Sequence, residues 1–512
     1  MRLDLIQPIA ALLEERAASH STKVALRDRA REVTYADLHR RTGNLAANLR
    51  GLGLARGDAV AFYMNNSVAL LESYLGVTRA AGLGVCLSAQ ATEHEAAFML
   101  GDAGARMVIT DSAHLEVVRR LCRDLPSVER IVATDQAGDG ELSFEGLAGQ
   151  GAGTPPPDDL APDAPAWMLY TSGTTGRPKG VLLSQHSMMW VVSAAWIPIH
   201  HMTEDDYVLS PLPLSHSYPF DGSLAVLAAG ATEHILERFT TPDVVTLLQT
   251  QPVTIFWGVP TIFSYLLDAA ESASFRPRTL RAAVSAGAVL PSALNERFEA
   301  AFGVPLLDAY GATEASTAIT MTSPTESRVA GSCGLPVPGL AVRIVDPVTG
   351  TDRAPGEDGD LIVRGPGIML GYHNLPEETA ATLRDGWYHT GDLARFDANG
   401  FVTITGRVKD LIIRGGENIS PVEIERVVMG HDAVLDCAVV GQAHATLGEV
   451  PVLFVVPREG STAFPTDDVL DHCRRHLSAF KVPAAVHVVD EIPKTGSGKV
   501  IRYRLVELLE SR

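Results

Sequence analysis

The stretch Tyr-Thr-Ser-Gly-Thr-Thr-Gly-Arg-Pro-Lys-Gly, from Tyr170 to Gly180, reads as a loop for holding phosphate. Thr171, Ser172, Thr174 and Thr175 carry hydroxyls, Gly173, Gly176 and Gly180 punctuate them, and Lys179 adds a cation. Glycine lets backbone N–H groups turn toward an anion, and the hydroxyls add donors that backbone alone does not supply. The apolar run Trp167-Met-Leu-Tyr170 in front reads as a buried strand, which places the loop at a sheet edge. A Walker loop needs four residues between its glycines and then Gly-Lys-Ser/Thr. Here Gly173 and Gly176 lie too close together and Arg177-Pro178 intervenes before Lys179, so that motif is rejected. A flexible Ser/Thr/Gly linker is the bland alternative, opposed by Pro178, Lys179 and the preceding strand.

Outward from this loop the chain alternates helical stretches with short apolar runs. Ala59–Tyr63, Gly84–Leu87 and Met107–Thr110 before it, and Val253–Phe256 and Ala282–Ser285 after it, read as parallel strands between helices. Residues 137–165, rich in Gly, Ala, Pro and Asp and carrying Pro155 to Pro157, read as a surface connection. From about residue 331 strands follow one another without long helices, as in Ala341–Val345, Leu361–Arg364 and Phe401–Thr405, which predicts a small β-rich subdomain. The last hundred residues read as a separate α+β unit, opening with a helix at Pro421–Val428.

At 512 residues the chain suits two or three domains, and 46% hydrophobic residues supply an ample core. A net charge of −19 argues against a nucleic-acid partner, because phosphate backbones reward a basic face. The five cysteines show no CxxC pair, which fits neither a disulfide framework nor zinc and predicts a reducing, cytoplasmic setting. The apolar start Leu5–Leu13 is broken by Pro8 and followed by Glu14-Glu15-Arg16, so it reads as an amphipathic helix start. No apolar run approaches the ~20 residues of a membrane span.

Four further motifs follow the phosphate loop. They are Tyr310-Gly-Ala-Thr-Glu314, Tyr388-His-Thr-Gly-Asp392, Gly406-Arg-Val-Lys-Asp410 continuing through Gly415-Gly416 to Glu425, and Pro493-Lys-Thr-Gly-Ser-Gly-Lys499. Alone, the first is a helix-cap sequence, the second a turn, and the last a solvated tail. Together and in this order they resemble the adenylate-forming superfamily of acyl-CoA synthetases, adenylation enzymes and beetle luciferases, over essentially the whole chain.

The resemblance implies an α/β fold: a large N-terminal domain (1–407) with two α/β sheets plus a small β-barrel-like subdomain, then a small mobile α+β domain (408–512). It implies an enzyme that joins a carboxylate to AMP from ATP, releases pyrophosphate and passes the acyl group to a thiol. ATP and Mg²⁺ are the implied cofactors. Thr171, Ser172, Gly173, Thr174, Thr175 and Lys179 would hold the phosphates. Tyr310 would pack near adenine, Gly287 and Ala288 would leave room for it, and Asp308 would be a further nucleotide-binding residue. Thr313 would touch phosphate, Glu314 with Thr175 would hold the metal, and Asp392 would accept from the ribose hydroxyls with Arg407 close by. Lys499 would offset charge building on the α-phosphate. Lys409 would be the hinge, and Gly415 and Gly416 would border a tunnel for a thin phosphopantetheine arm.

For the acid, the resemblance points to Leu212–Ser223, with His216 as a gate beside the substrate carboxylate. Phe220-Asp221-Gly-Ser223 resembles the amine-binding stretch of amino-acid adenylation domains, whose Asp pairs with an ammonium. A fatty-acid pocket has no reason to bury an unpaired carboxylate, which costs several kcal/mol, roughly. Asp221 as a helix N-cap is the open alternative. Trp257, Ser285, Ala286, Gly287, Ala288 and Thr317 are expected to line the rest, and Arg328 to reach a second carboxylate. The leading expectation is activation of an amino acid, of the β-amino class, for the phosphopantetheine thiol of an acyl carrier protein, as in macrolactam pathways. The alternative is a CoA ligase for a short, medium-chain or aryl acid. Neither nucleic acid nor membrane insertion is expected.

Overall fold

The computed structural model describes residues 1–138, 140–151, 160–171, 177–273, 275–415, 417–458, 464–494 and 500–510. Two large sheets share the N-terminal part. The first runs, edge to edge, Leu335–Pro336, Thr320–Met321, Leu306–Tyr310, Ala282–Ser285, Ile255–Gly258, Tyr207–Ser210, Thr232–Ile235, Val24–Arg27 and Glu32–Thr34. Its strands from Leu306–Tyr310 through Val24–Arg27 are parallel. Ile255–Gly258 and Ala282–Ser285 are buried at every position, as strands covered on both faces must be.

The second sheet runs Gly371–Tyr372, Lys179–Ser184, Pro165–Thr171, Leu83–Cys86, Ala59–Tyr63, Met107–Thr110, Arg130–Ala133 and Leu142–Ser143. The predicted strand before the phosphate loop is therefore real, and it pairs antiparallel with the strand after the loop, with Thr171 opposite Lys179 and Tyr170 opposite Gly180. The helix Val68–Arg79 is buried along its whole length between other elements. It carries Glu72, fully buried, whose oxygens take Arg41 at 2.5 and 3.0 Å and Arg31 at 2.7 Å. A carboxylate at that depth persists because every charge around it is paired.

The predicted β-rich subdomain is an antiparallel sheet of Ala341–Val345, Gly359–Arg364, Trp387–Phe396 and Leu383–Arg384, with Val402–Arg407 on the long third strand. A short turn, Val408–Asp410, leads into the last sheet, where the hairpin Val434–His444 and Gly448–Pro457 packs under the helices Pro421–Val428 and Thr466–His476. The fold is thus a large two-sheet N-terminal domain with a small β part and a small C-terminal domain, as expected.

One expectation fails. Residues 137–165 are not only surface connection: Leu142–Ser143 adds an edge strand and Phe144–Gly149 is a helix. Phe144 is wholly buried and the Ser143 hydroxyl accepts from the Gly146 N–H as the helix cap. One buried ring outweighs a loop-like composition. No helix among the described residues is long and apolar enough to cross a membrane.

Candidate active site

In the first sheet the chain passes from Tyr207–Ser210 to Thr232–Ile235 on one side, then returns to lay Ile255–Gly258 on the other. Strand order reverses between these neighbours, and the crevice beyond their carboxyl ends is where open α/β sheets bind ligands. Ser210, Gly258, Ser285 and Tyr310 end four adjacent strands at this crevice. The chain after Tyr310 is strained to fit. Ser316 and Thr317 have φ of 48° and 96°, and a Cβ on Gly311 would fall 1.3 Å from the Thr317 carbonyl oxygen. A β-branched residue at positive φ is held there only by its surroundings, a pattern that clusters at functional sites.

Three sheets meet here. From the first, Ser217 Oγ lies 3.2 Å from Thr313 Oγ1, which sets the His216 loop beside Thr313 and Glu314. From the second, the Tyr372 hydroxyl donates to Glu314 Oε1 at 2.9 Å, and the Lys179 ammonium stands 5.1 Å over the Tyr372 ring while pairing with Glu378. From the third, Asp392 accepts from the Tyr310 hydroxyl at 2.6 Å and from Arg407 Nε at 2.9 Å. Burial works against the Arg407 charge, yet the carboxylates of Asp392 and Asp410 hold its pKa above the ordinary value. Burial lowers Lys409, and the charges of Arg407 and Lys179 push the same way. Glu314 fits a hard cation shared with phosphates: Tyr372 takes one oxygen, and a carboxylate has lone pairs to spare.

Asp221 occupies the fifth position of the helix Ser217–Ala229, whose N-cap is His216, so the cap reading of Asp221 is wrong. Its carboxyl is fully buried. Oδ2 accepts from the Trp196 indole N–H at 2.6 Å, and Oδ1 has no hydrogen-bond partner among the described residues. Burial pushes its pKa well above the carboxylate range, with the Trp196 bond pulling only partly back. Around it stand aromatic rings: Trp196 stacks on Tyr218 at 5.6 Å, Trp257 lies 5.6 Å from Trp196, and His200 lies 5.5 Å from the same ring. Trp257 packs closely against Gly222, where a Cβ would meet the ring at 2.5 Å. The Trp257 indole nitrogen, both His200 nitrogens, Ser285 Oγ and Thr317 Oγ1 also lack partners among the described residues. Burial drives His200 down to about 3, so it is a neutral ring.

The structure does not bring Arg328 to this group. Its guanidinium pairs with Glu299 along a cleft of about 180 Å³ that Asp308, Thr322 and Ser332 also line, away from Asp221. Gly287 and Ala288 follow the strand Ala282–Ser285, with Gly287 at φ 85°. Gly415 turns at φ 60° and donates to the Leu447 carbonyl. Ser172, Gly173, Thr174, Thr175, Gly416 and Lys499 lie outside the described residues. Sequence reasoning missed Trp196, Tyr372 and Glu378. The first two meet their partners only through the fold, 25 and 58 positions away.

Residues 13–373 match the AMP-binding enzyme family and residues 423–499 its C-terminal domain. The chain is 34% identical to a feruloyl-CoA synthase of Amycolatopsis sp, covering 95% of this chain and 96% of that protein. It is also 34% identical to the chalcone synthase cfoA of Aspergillus candidus across 97% of this chain, but spans only 19% of that longer relative. Among solved structures, the anthranilate CoA ligase AuaEII in complex with anthranoyl-AMP superposes with a TM-score of 0.91 at 26% identity, covering 99% of this chain and 98% of that one. The chain belongs to the AMP-binding enzyme family, within the adenylate-forming superfamily, and its class is AMP-forming acid–thiol ligase.

Proposed function

We propose that this enzyme adenylates a carboxylic acid bearing an amino group, using ATP with Mg²⁺, and then hands the acyl group to a phosphopantetheine thiol. The observation that carries the amine is Asp221: a fully buried carboxyl with one oxygen unpartnered among the described residues, walled by Trp196, Tyr218 and Trp257. An ammonium supplies the charge that such a carboxylate needs, and aromatic faces favour a cation beside them. Coenzyme A is the acceptor named in relatives of matching length, and a carrier protein presents the same arm.

In this reading Lys179 neutralises phosphate and Glu314 shares a magnesium ion with it, which would polarise the phosphates. Asp392 fixes the ribose, Lys499 serves adenylation alone, and rotation at Lys409 exchanges Lys499 for the Gly415-Gly416 face. Pyrophosphate exchange tests the substrate class, using pairs of acids that differ only by an amino group. Amine-bearing members are expected to exchange at least about tenfold faster, given ~1.5–3 kcal/mol for a hydrogen bond to a charged group. Equal rates across every pair would refute the amine assignment, and no exchange with any acid would refute adenylation.

Asp308 adds a pH dependence. Burial raises its carboxyl to about 8, partly opposed by the Ala309 backbone N–H. In this reading Asp308 faces the nucleotide: below about pH 8 its carboxyl is protonated and can donate as well as accept, and above that it only accepts and carries a charge that opposes the anion. KM for ATP is expected to be flat below pH 8 and to rise up to about tenfold above it, the worth of one hydrogen bond. Asp308→Asn should flatten that profile, and a wild-type KM unchanged through pH 9 would contradict the assignment.

A further inference from the structure

We propose that Glu378 is an internal competitor for the phosphate-binding cation Lys179, which weakens the hold on pyrophosphate and so aids its departure. The inference rests on the reading of Lys179 as a phosphate ligand. Lys179 begins the strand Lys179–Ser184, and Glu378 lies on the short helix Pro376–Thr382, which follows the strand Gly371–Tyr372. That strand pairs with Lys179–Ser184, so the sheet itself brings the two charges together from 199 positions apart. Thr379 Oγ1 accepts from the Tyr372 N–H at 2.9 Å and fixes the helix against the strand.

The two partners are unequally placed. The Lys179 side chain is 15% exposed, whereas that of Glu378 is 47% exposed. A mostly buried ammonium needs an anion at hand, while a half-exposed carboxylate is solvated well when it lets go. An arriving phosphate therefore displaces Glu378 from Lys179, and Glu378 swings toward water. On the return path the carboxylate recaptures Lys179 as pyrophosphate leaves. Its negative charge also repels the polyanion, so both effects loosen the product. The Tyr372 ring beneath the ammonium keeps Lys179 in place during the exchange, through its quadrupole and its tie to Glu314.

This arrangement predicts a gain of affinity on mutation, which a merely structural carboxylate would not give. Calorimetric titration of the full-length protein with pyrophosphate is expected to show about five- to tenfold tighter binding for Glu378→Gln than for wild type. Glu378→Ala should act in the same direction, and KM for the acid should stay unchanged. In a Lys179→Gln background the Glu378→Gln change should lose most of its effect, because the competition has no object. Unchanged or weaker pyrophosphate binding by both Glu378 variants would overturn the proposal. If Lys179→Gln alone left pyrophosphate binding intact, the phosphate role of Lys179 would fall, a failure separate from that of Glu378.

Discussion

Asp221→Asn is expected to lower kcat/KM for an amine-bearing acid by about 10²–10⁴-fold while leaving the same acid without its amine within about threefold of wild type. Asparagine matches the neutral carboxyl in shape and keeps an oxygen to accept from the Trp196 indole, so the packing survives. What it cannot do is become an anion. In the protein alone, burial holds the Asp221 proton on; in the proposed reading a substrate amine arriving as the free base would take that proton at Oδ1, becoming the ammonium of a buried ion pair with no change in total charge. Removing one partner of a buried pair costs about 3–5 kcal/mol, and each 1.36 kcal/mol is tenfold. Steady-state kinetics on the paired acids, with thermal melts to confirm folding, provide the check. Equal losses on both members would make Asp221 a structural residue.

The second large effect is expected at Asp392. Asp392→Ala removes the acceptor of both the Tyr310 hydroxyl and the Arg407 guanidinium, and with them the proposed ribose ligand. Hydrogen bonds to charged groups are worth about 1.5–3 kcal/mol each, so losing two predicts ATP binding weaker by about 100-fold or more. Arg407, whose side chain is 43% exposed, loses that counter-charge as well. Asp392→Asn, which keeps an acceptor for Tyr310, should fall between. Calorimetric titration with ATP reads this directly, and affinity within threefold of wild type would remove Asp392 from the nucleotide site.

Local patterns in the chain told much of the fold and less of the site. Strands such as Ala59–Tyr63, Met107–Thr110 and Ala282–Ser285 are buried apolar runs bounded by breakers, and their type follows from that pattern alone. Phe144–Gly149 escaped because its two glycines, in a stretch rich in Gly, Ala, Pro and Asp, read as loop while one ring anchors it. Within the site, Glu314, Asp392 and Lys179 were visible because their glycine-rich surroundings are unusual. Trp196 and Tyr372 were not, since nothing local to either shows that its polar atom meets Asp221 or Glu314 across the fold. Arg328 shows the converse error: a cation near the right turn whose nearest anion, Glu299, sits on a neighbouring helix.

The hairpin beneath the phosphate loop separates what is fixed from what is exchangeable. Lys179 belongs to the stem, registered opposite Thr171 by sheet hydrogen bonds, and does not belong to the tip. The position of that backbone is therefore a property of the sheet, and sequence drift between Thr171 and Lys179 leaves the root of the positive charge where the neighbouring strand pins it.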